Sequence, residues 1–414
     1  MKDPLDGVGP SYAFQMHSFI FILTLLVNVS AIKISAWSWT KGLRLLNDNP
    51  ASNHGRMYPE LRQVLNCIAR NANDYNRGAR EGETAALSNL GSLTQPEIAP
   101  ITNDDDDEPD DITIPLCCYK PFFALDTLDD IYTTHCAAVE LDPSSRFSSA
   151  PFQSPSISSS ALISSPGNPS PPRRGLRNMS FIYGVLCPTS FARFLDYAAP
   201  SLDIIVLECD GSMFNGGETE RKSLDVGGLI AALGRSSGAS LTVLEFKLEL
   251  DFIGTDGIVP VKSLNEFERL DSLDVPIFCF LGVEPGDKKD DNSEAAIRTR
   301  ELRAIEAVPR LRDILPSSLK TLELWVTRSS KLELALGPQL LKALLRDFDV
   351  AASGLSRLRV NHGSDYGVVG GDCKLLFNGS WTSDTVRSIA EGAGAEFHCV
   401  CYTCCCSRRP NNSP

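Results

Sequence analysis

The chain has 414 residues, enough for two or three domains, because a single hydrophobic core usually stops growing at a smaller size. Hydrophobic residues make up 43% and charged residues 22%, which excludes a chain that is disordered throughout. The formal net charge of −13 and the pI near 5.0 argue against a protein that binds nucleic acid, since that binding needs clustered positive charge.

An apolar run, Phe-Ile-Phe-Ile-Leu-Thr-Leu-Leu-Val, occupies residues 19–27. It is shorter than the stretch of about 20 apolar residues that a transmembrane helix needs. It fits the core of a signal peptide or anchor within residues 16–31, and in that case four Asn-x-Ser sequons become candidate glycosylation sites. It also fits a buried strand, a pattern that Val29, Ile32 and Ile34 continue. Both interpretations stay open, and with them the question of membrane association.

The composition divides the chain into four segments. Residues 1–102 contain the apolar run and some helical periodicity. Residues 103–175 are first acidic and then rich in serine and proline, which predicts a largely disordered linker. Residues 176–395 carry a repeated apolar pattern, and residues 396–414 are predicted to form a flexible, Cys-rich tail.

The 13 cysteines show no regular spacing, whereas small secreted disulfide-bonded proteins are shorter and denser in cysteine. We therefore expect reduced thiols in an intracellular protein, in the cytoplasm or nucleus, with the secretory pathway as the alternative. Five of the cysteines cluster at residues 399–406. A tetrahedral metal site normally takes two separated ligand pairs, and no second pair is visible, so no metal or other cofactor is predicted. Lipidation of the tail stays an alternative.

One short pattern, Leu-x-x-[Leu/Ile]-x-apolar, returns five times along the third segment. Its leading residues are Leu202, Leu241, Leu270, Leu319 and Leu355. The intervals between them, 39, 29, 49 and 36 residues, are longer and less regular than the roughly 20–29 of standard leucine-rich repeats. In four copies a small residue precedes the leucine: Ser201, Ser240, Ser318 and Gly354.

A segment with helical periodicity precedes most copies, for example around Phe191, Leu229 and Leu341. Strands that alternate with helices predict an α/β protein with a parallel sheet. We therefore expect an irregular leucine-rich-repeat-like solenoid, in which stacked strands point their second and third apolar residues inward and the helices flank them. Loops of different length absorb the irregular intervals.

Two stretches of this segment resemble a known family. They are residues 264–282, Leu-Asn-Glu-Phe-Glu-Arg-Leu-Asp-Ser-Leu-Asp-Val-Pro-Ile-Phe-Cys-Phe-Leu-Gly, and residues 313–324, Asp-Ile-Leu-Pro-Ser-Ser-Leu-Lys-Thr-Leu-Glu-Leu. The order of Leu281-Gly282, a variable loop and the Leu-Pro-Ser-Ser-Leu of residues 315–319 is similar to the C-terminal repeat region of fungal F-box/leucine-rich-repeat proteins. The resemblance covers about residues 179–361. No F-box is recognisable in residues 1–50.

The resemblance implies a substrate receptor-like subunit of a cullin-based ubiquitin ligase, with a Skp-type adaptor as its partner. From the repeat itself we expect a protein-binding scaffold, whose concave face is formed by the residues that alternate with the inward leucines. They are Glu208, Glu245, Lys247, Asp274, Glu323, Trp325, Arg357, Arg359 and Asn361. Trp325 is the best candidate for a binding hot spot, if it does not pack against a neighbouring loop.

The sequence offers little for catalysis. His362, Ser364 and Asp365 are the residue types of a hydrolase triad, but a working triad converges from separate elements of the fold. The chain has no Gly-x-Ser-x-Gly elbow and no nucleotide-binding fingerprint. We therefore predict a non-enzymatic protein.

Overall fold

The computed structural model describes residues 31–35, 95–99, 114–115, 125, 128–134, 136–138, 176–182, 185–199, 201–210, 224–249, 258–280, 306, 308, 310–326, 339, 341–346, 354–362 and 383–401. They belong to two compact units. Unit 1 comprises Met1–Gly184 and Tyr197–Pro200, and unit 2 comprises Val185–Asp196 and Ser201–Pro414.

The strands, in chain order, are β1 (Ala31–Ser35), β2 (Gln95–Ala99), β3 (Ile114–Pro115), β4 (Asp130–Thr134), β5 (Cys136–Ala138), β6 (Asn178–Ile182), β7 (Val185–Leu186), β8 (Ile204–Asp210), β9 (Leu224–Asp225), β10 (Val243–Glu249), β11 (Ile258–Val259), β12 (Ser272–Pro276), β13 (Thr321–Val326), β14 (Arg357–His362) and β15 (Glu396–Cys401). The helices are α1 (Pro188–Ala198), α2 (Val226–Ser237), α3 (Leu311–Ile314) and α4 (Ser383–Gly392). A 3-10 turn, Ile277–Phe280, follows β12.

Six parallel strands of unit 2 form one ladder in the order β8, β10, β12, β13, β14, β15. Their register places one apolar residue from every strand side by side, each at most 9% exposed: Ile205, Leu244, Leu273, Leu322, Leu358 and Phe397. We call these six residues the apolar column. The five predicted copies therefore lie side by side, and the α/β class and the parallel strand ladder are confirmed.

For three of the four small residues that precede a leading leucine, the structure gives a reason. The Ser240 hydroxyl donates to the Leu202 carbonyl at 2.8 Å, and the Ser318 hydroxyl donates to the Leu270 carbonyl at 3.0 Å. A Cβ atom added to Gly354 would lie 3.0 Å from the Ser317 carbonyl oxygen. The turns therefore approach closely at these positions, and serine also satisfies a carbonyl of the preceding turn. The copy that begins at Leu270 differs, because the exposed Arg269 precedes its leucine.

Backbone hydrogen bonds at the start of each strand repeat from one turn to the next. The Asp203 carbonyl accepts from both Thr242 and Val243 N–H groups, at 2.8 and 3.1 Å. The carbonyls of Thr242, Asp271 and Lys320 each accept two consecutive N–H groups of the following strand in the same way. We call these four carbonyls the junction carbonyls. They align each new strand on the preceding one, and side-chain hydroxyls reinforce two of them: Thr242 Oγ1 also donates to the Asp203 carbonyl and Ser356 Oγ to the Lys320 carbonyl, both at 3.0 Å.

Helical segments bury their apolar stripes in unit 2, as the periodicity predicts. The Asp225 side chain caps α2 by accepting from the Gly228 N–H at 2.7 Å. The fully or almost fully buried residues are Phe191, Phe194 and Leu195 in α1, Leu229, Ile230 and Leu233 in α2, and Leu341, Leu344 and Leu345. These stripes, together with the apolar column, form the hydrophobic core of unit 2.

Unit 1 contains a parallel array in the order β1, β2, β4, β6. In β4 and β6, Ile131 is paired with Met179, and both are buried. The six-residue pattern of unit 2 recurs here in altered form, and the buried residues Leu128 and Leu176 occupy its first position. The strict pattern misses these copies because Thr133 replaces an apolar residue in one, and Met179 replaces leucine or isoleucine in the other.

Four strands lie in the segments that the sequence assigns to a linker or a tail. β3, β4 and β5 lie within the predicted linker at 103–175, and β15 lies at the start of the predicted tail at 396–414. The alternation of Phe397 with exposed Glu396 and His398 is what makes β15 a strand of the ladder. β1 contains Ile32 and Ile34, two of the residues for which the sequence offers a strand as one of two interpretations.

Residues 19–27, the acidic run at 104–111, the Ser/Pro-rich stretch at 143–175 and the cysteines of residues 404–406 lie outside the described residues. Within the part of the chain that the structure describes, no helix combines the length and the apolar composition needed to cross a bilayer. One sequon asparagine, Asn178, lies in β6, where its side-chain amide donates to a carboxylate oxygen of Asp130.

The apolar column can be tested with two neighbouring isoleucines. Ile205 is fully buried, whereas Ile204 is 37% exposed. We expect Ile205→Ala to reduce the free energy of unfolding by about 2–5 kcal/mol, because it leaves a cavity in the core. The control, Ile204→Ala, should cost about 1 kcal/mol or less. Urea unfolding of the full chain measures both, and equal losses would contradict the observed register.

Candidate binding face

The residues that alternate with the apolar column form a second line across the ladder. In register, Val206 of β8 lies beside Glu245, and the line continues through Asp274, Glu323, Arg359 and His398. We call Glu245, Asp274, Glu323, Arg359 and His398 the polar row. Because successive side chains of a strand point to opposite faces, the polar row lies on the face opposite to the apolar column.

The remaining predicted residues lie on this face too. Glu208 is paired with Lys247, Trp325 with Asn361, and Arg357 with Glu396, all at positions in step with the polar row. The structure therefore brings together all nine predicted residues, and we call this surface the polar face. Sequence reasoning missed His398, because β15 was assigned to the tail, although Phe397 and Cys399 follow the required alternation.

The polar face is not uniformly open to solvent. Lys247 and Arg357 are exposed, while Glu208, Glu245, Asp274 and Trp325 are half-buried. The side chains of Glu323 and Arg359 are 18% and 35% exposed, and Asn361 is fully buried at 0%. This face therefore combines accessible charges at its margins with partly covered polar groups between them.

Glu323 is the best-anchored side chain of the polar row. Its Oε2 lies 3.4 Å from Nη1 of Arg359, and its Oε1 accepts a hydrogen bond from Nδ2 of Asn361. All three groups come from β13 and the adjacent β14. The Oδ1 of Asn361 is buried and has no hydrogen-bond partner among the residues that the structure describes. A buried acceptor without a donor costs free energy, so the Asn361 amide is an exception to the rule that buried polar groups are hydrogen-bonded.

Asp274 is the most perturbed group of the face. Burial raises its pKa from 3.8 to about 7, and the negative charges of Glu323 and Glu245 add to this effect. A hydrogen bond from the Trp325 side chain and the positive charge of Lys247 partly oppose it. The Oδ1 of Asp274 is buried and lacks a hydrogen-bond partner in the described ranges. Near neutral pH this carboxyl group is therefore close to half protonated.

At the far edge of the ladder, ion pairs involve exposed groups. Nε of Arg357 lies 3.7 Å from Oε2 of Glu396, and Nε2 of His398 lies 2.9 Å from Oε1 of the same carboxylate. Exposed pairs of this kind contribute roughly 0–1 kcal/mol each. Their role is to present alternating charge at the surface.

Metal and thiol chemistry have little support in the described residues. No group of three or more His, Cys, Asp or Glu side chains among them is arranged to hold a metal ion. Cys187, Cys209, Cys279 and Cys399 take part in no disulfide bond. Burial raises the pKa of the Cys279 thiol far above its usual range, which makes it unreactive. Ser364 and Asp365 lie outside the described residues, so no triad with His362 can be assessed.

Comparison with protein-family models and with curated proteins gives no match. The resemblance to F-box/leucine-rich-repeat proteins therefore rests on residues 264–282 and 313–324.

The raised pKa of Asp274 predicts a pH effect on stability. The folded chain binds this proton more tightly than the unfolded chain, so the carboxylate destabilises the fold increasingly as pH rises from about 4 to about 7. Relative to the wild type, Asp274→Asn should become more stable as pH rises through this window, by an amount on the order of 1–3 kcal/mol. Urea unfolding at about pH 5 and pH 8 measures the difference.

Asp271→Asn is the matched control for this measurement, because the Asp271 carboxylate is 48% exposed and lies 3.0 Å from the Lys320 ammonium. The change with pH should be larger for Asp274→Asn than for this variant. A stability difference between wild type and Asp274→Asn that is the same at both pH values would show that the carboxyl group is not held in a desolvated, acid-rich environment.

Proposed function

We propose that the chain is a non-enzymatic scaffold that binds another protein across the polar face of its ladder. The observation that carries the proposal is the register, which aligns Glu245, Asp274, Glu323, Arg359 and His398 on one face. Parallel strands hold these side chains at fixed spacings, so little conformational entropy is lost when a partner binds.

The mixture of side chains on the polar face supports this proposal. Trp325 supplies a large aromatic surface that is half-buried and has few rotatable bonds, as is common at binding hot spots. Arg357 and Lys247 lie exposed beside the carboxylates, so the face presents both signs of charge. A face that presents both signs of charge favours a partner with complementary charge over a purely apolar one.

The finer architecture that we propose is an irregular leucine-rich-repeat-like solenoid. Its support is that strands separated by 29 to 49 residues in the sequence keep the same spacing of buried positions. Neighbouring copies contact each other through the junction carbonyls and the apolar column, which is the nearest-neighbour pattern of repeat proteins.

Within this function, the resemblance to fungal F-box/leucine-rich-repeat proteins favours a substrate receptor-like role in a cullin-based ubiquitin ligase. Tagged full-length chain, purified from its native cells, should then bring down a Skp-type adaptor and a cullin. Their consistent absence would remove the ligase assignment and leave the binding role of the polar face standing.

The binding role itself can be tested by photo-crosslinking in native cells. A photoreactive amino acid at Arg357 or Lys247, both exposed on the polar face, should give crosslinks to the same partner polypeptide. The same probe at Arg235 of α2 or Glu391 of α4, exposed on helices, should not give that crosslink. Equal crosslinking from the strand and helix positions would contradict the proposal.

A further inference from the structure

The polar face contains more hydrogen-bond acceptors than donors at its centre. Glu245, Asp274 and Glu323 come from three adjacent strands, whose backbones in a parallel sheet lie about 4.8 Å apart. Arg359 contacts Glu323, and the positive charge of Lys247 acts on Asp274. Three carboxylates thus face two cations and the N–H of Trp325, and Asp274 Oδ1 has no hydrogen-bond partner among the described residues.

A second and independent observation comes from Asn361. Its side chain has no exposed surface and is directed at one of these carboxylates, since Nδ2 donates to Glu323. Its Oδ1 finds no donor within the described part of the chain. A fully buried amide is normally satisfied at both ends, so an unmatched acceptor beside Glu323 indicates that a donor is missing from this place.

We propose that the acceptor-rich centre of the polar face, formed by Asp274, Glu323 and Asn361, receives the guanidinium group of an arginine side chain from a partner polypeptide. The inference rests on the proposed protein-binding function and adds the chemistry of the contact. At this centre the side chains of Glu323 and Arg359 are 18% and 35% exposed, so a partner's side chain would make its first contacts with them.

A guanidinium group matches this environment better than other ligands do. It carries five N–H donors in one plane and no acceptor, so it can bridge carboxylates on neighbouring strands. An ammonium group has three donors around a single point and is more strongly hydrated, which makes its burial more costly. Charge-assisted hydrogen bonds are also stronger in a partly desolvated site than at an open surface.

The charged groups around the site define how binding responds to pH. They are Glu245 and Lys247 on β10, Asp274 on β12, Glu323 on β13, Arg359 on β14 and His398 on β15. A guanidinium binds the ionised form of Asp274, so affinity should rise between about pH 6 and pH 8 as that carboxyl group loses its proton. His398 lies on the same face, so a His398 variant is the control for this pH dependence.

The experiment selects peptides from a random display library on the full-length chain at about pH 8. We expect arginine to be enriched in the peptides that bind. For a selected peptide, replacement of its key arginine by citrulline, a neutral analogue of similar shape, should weaken binding by about tenfold or more. This comparison changes only the peptide, so it does not depend on the folding of a protein variant.

Protein variants then locate the contact. Asp274→Asn and Glu323→Gln should each weaken binding of the arginine peptide by about tenfold. Asp271 is an exposed carboxylate outside the polar row, so Asp271→Asn should leave the affinity of the peptide unchanged. Asp274→Asn should also remove most of the rise in affinity between about pH 6 and pH 8, and His398→Asn should keep it.

The possible failures are distinguishable. If peptides in which citrulline or lysine replaces the arginine bind as tightly as the arginine peptide, the guanidinium contact is overturned and the proposed function stays intact. A citrulline effect that persists undiminished in both Asp274→Asn and Glu323→Gln places the arginine elsewhere and also overturns it. Selection of no peptide at all, together with no crosslink from Arg357, overturns both this inference and the proposed function.

Discussion

The ladder of unit 2 depends on one repeated burial event, the stacking of a single apolar side chain from each of six parallel strands. Ile205, Leu244, Leu273, Leu322, Leu358 and Phe397 lie side by side and exclude water from one face. Because side chains alternate along a strand, a shift of one residue would turn this face outward. The same burial therefore determines which side chains form the polar face, and it couples the stability of the fold to the position of the groups that we propose bind a partner.

The polar face contains both exposed and partly buried charged side chains. Glu323 is held by Arg359 and Asn361 on the adjacent strand, whereas Asp274 has neighbours of its own charge and little water. A carboxyl group in that position costs stability when ionised, and a core made only for stability would not keep it. Groups that are poorly satisfied in the isolated chain are typical of sites where a partner completes the hydrogen bonding.

Much of this arrangement could be predicted from the sequence. The spacing of Leu202, Ile205 and Leu207 and its four later counterparts identified the strands, and alternation placed the nine polar residues on one face. Two kinds of feature could not be found in this way. The copies at Leu128 and Leu176 depart from the strict pattern, at Thr133 and Met179 respectively, and only the register reveals them. The burial of Asn361 and the raised pKa of Asp274 depend on distances between strands that are far apart in sequence.

The junction carbonyls have a consequence for how such a chain can change over time. Two aspartates, a threonine and a lysine stand at these positions (Asp203, Asp271, Thr242 and Lys320), yet each receives the next strand through the same pair of main-chain hydrogen bonds. Since this pair of main-chain bonds requires no particular side chain, mutation at these sites leaves it in place, even where it removes an added contact such as the pair of Lys320 with Asp271. A whole turn can be inserted or lost by recombination without new linking residues having to evolve, and its outward side chains remain open to selection for another ligand.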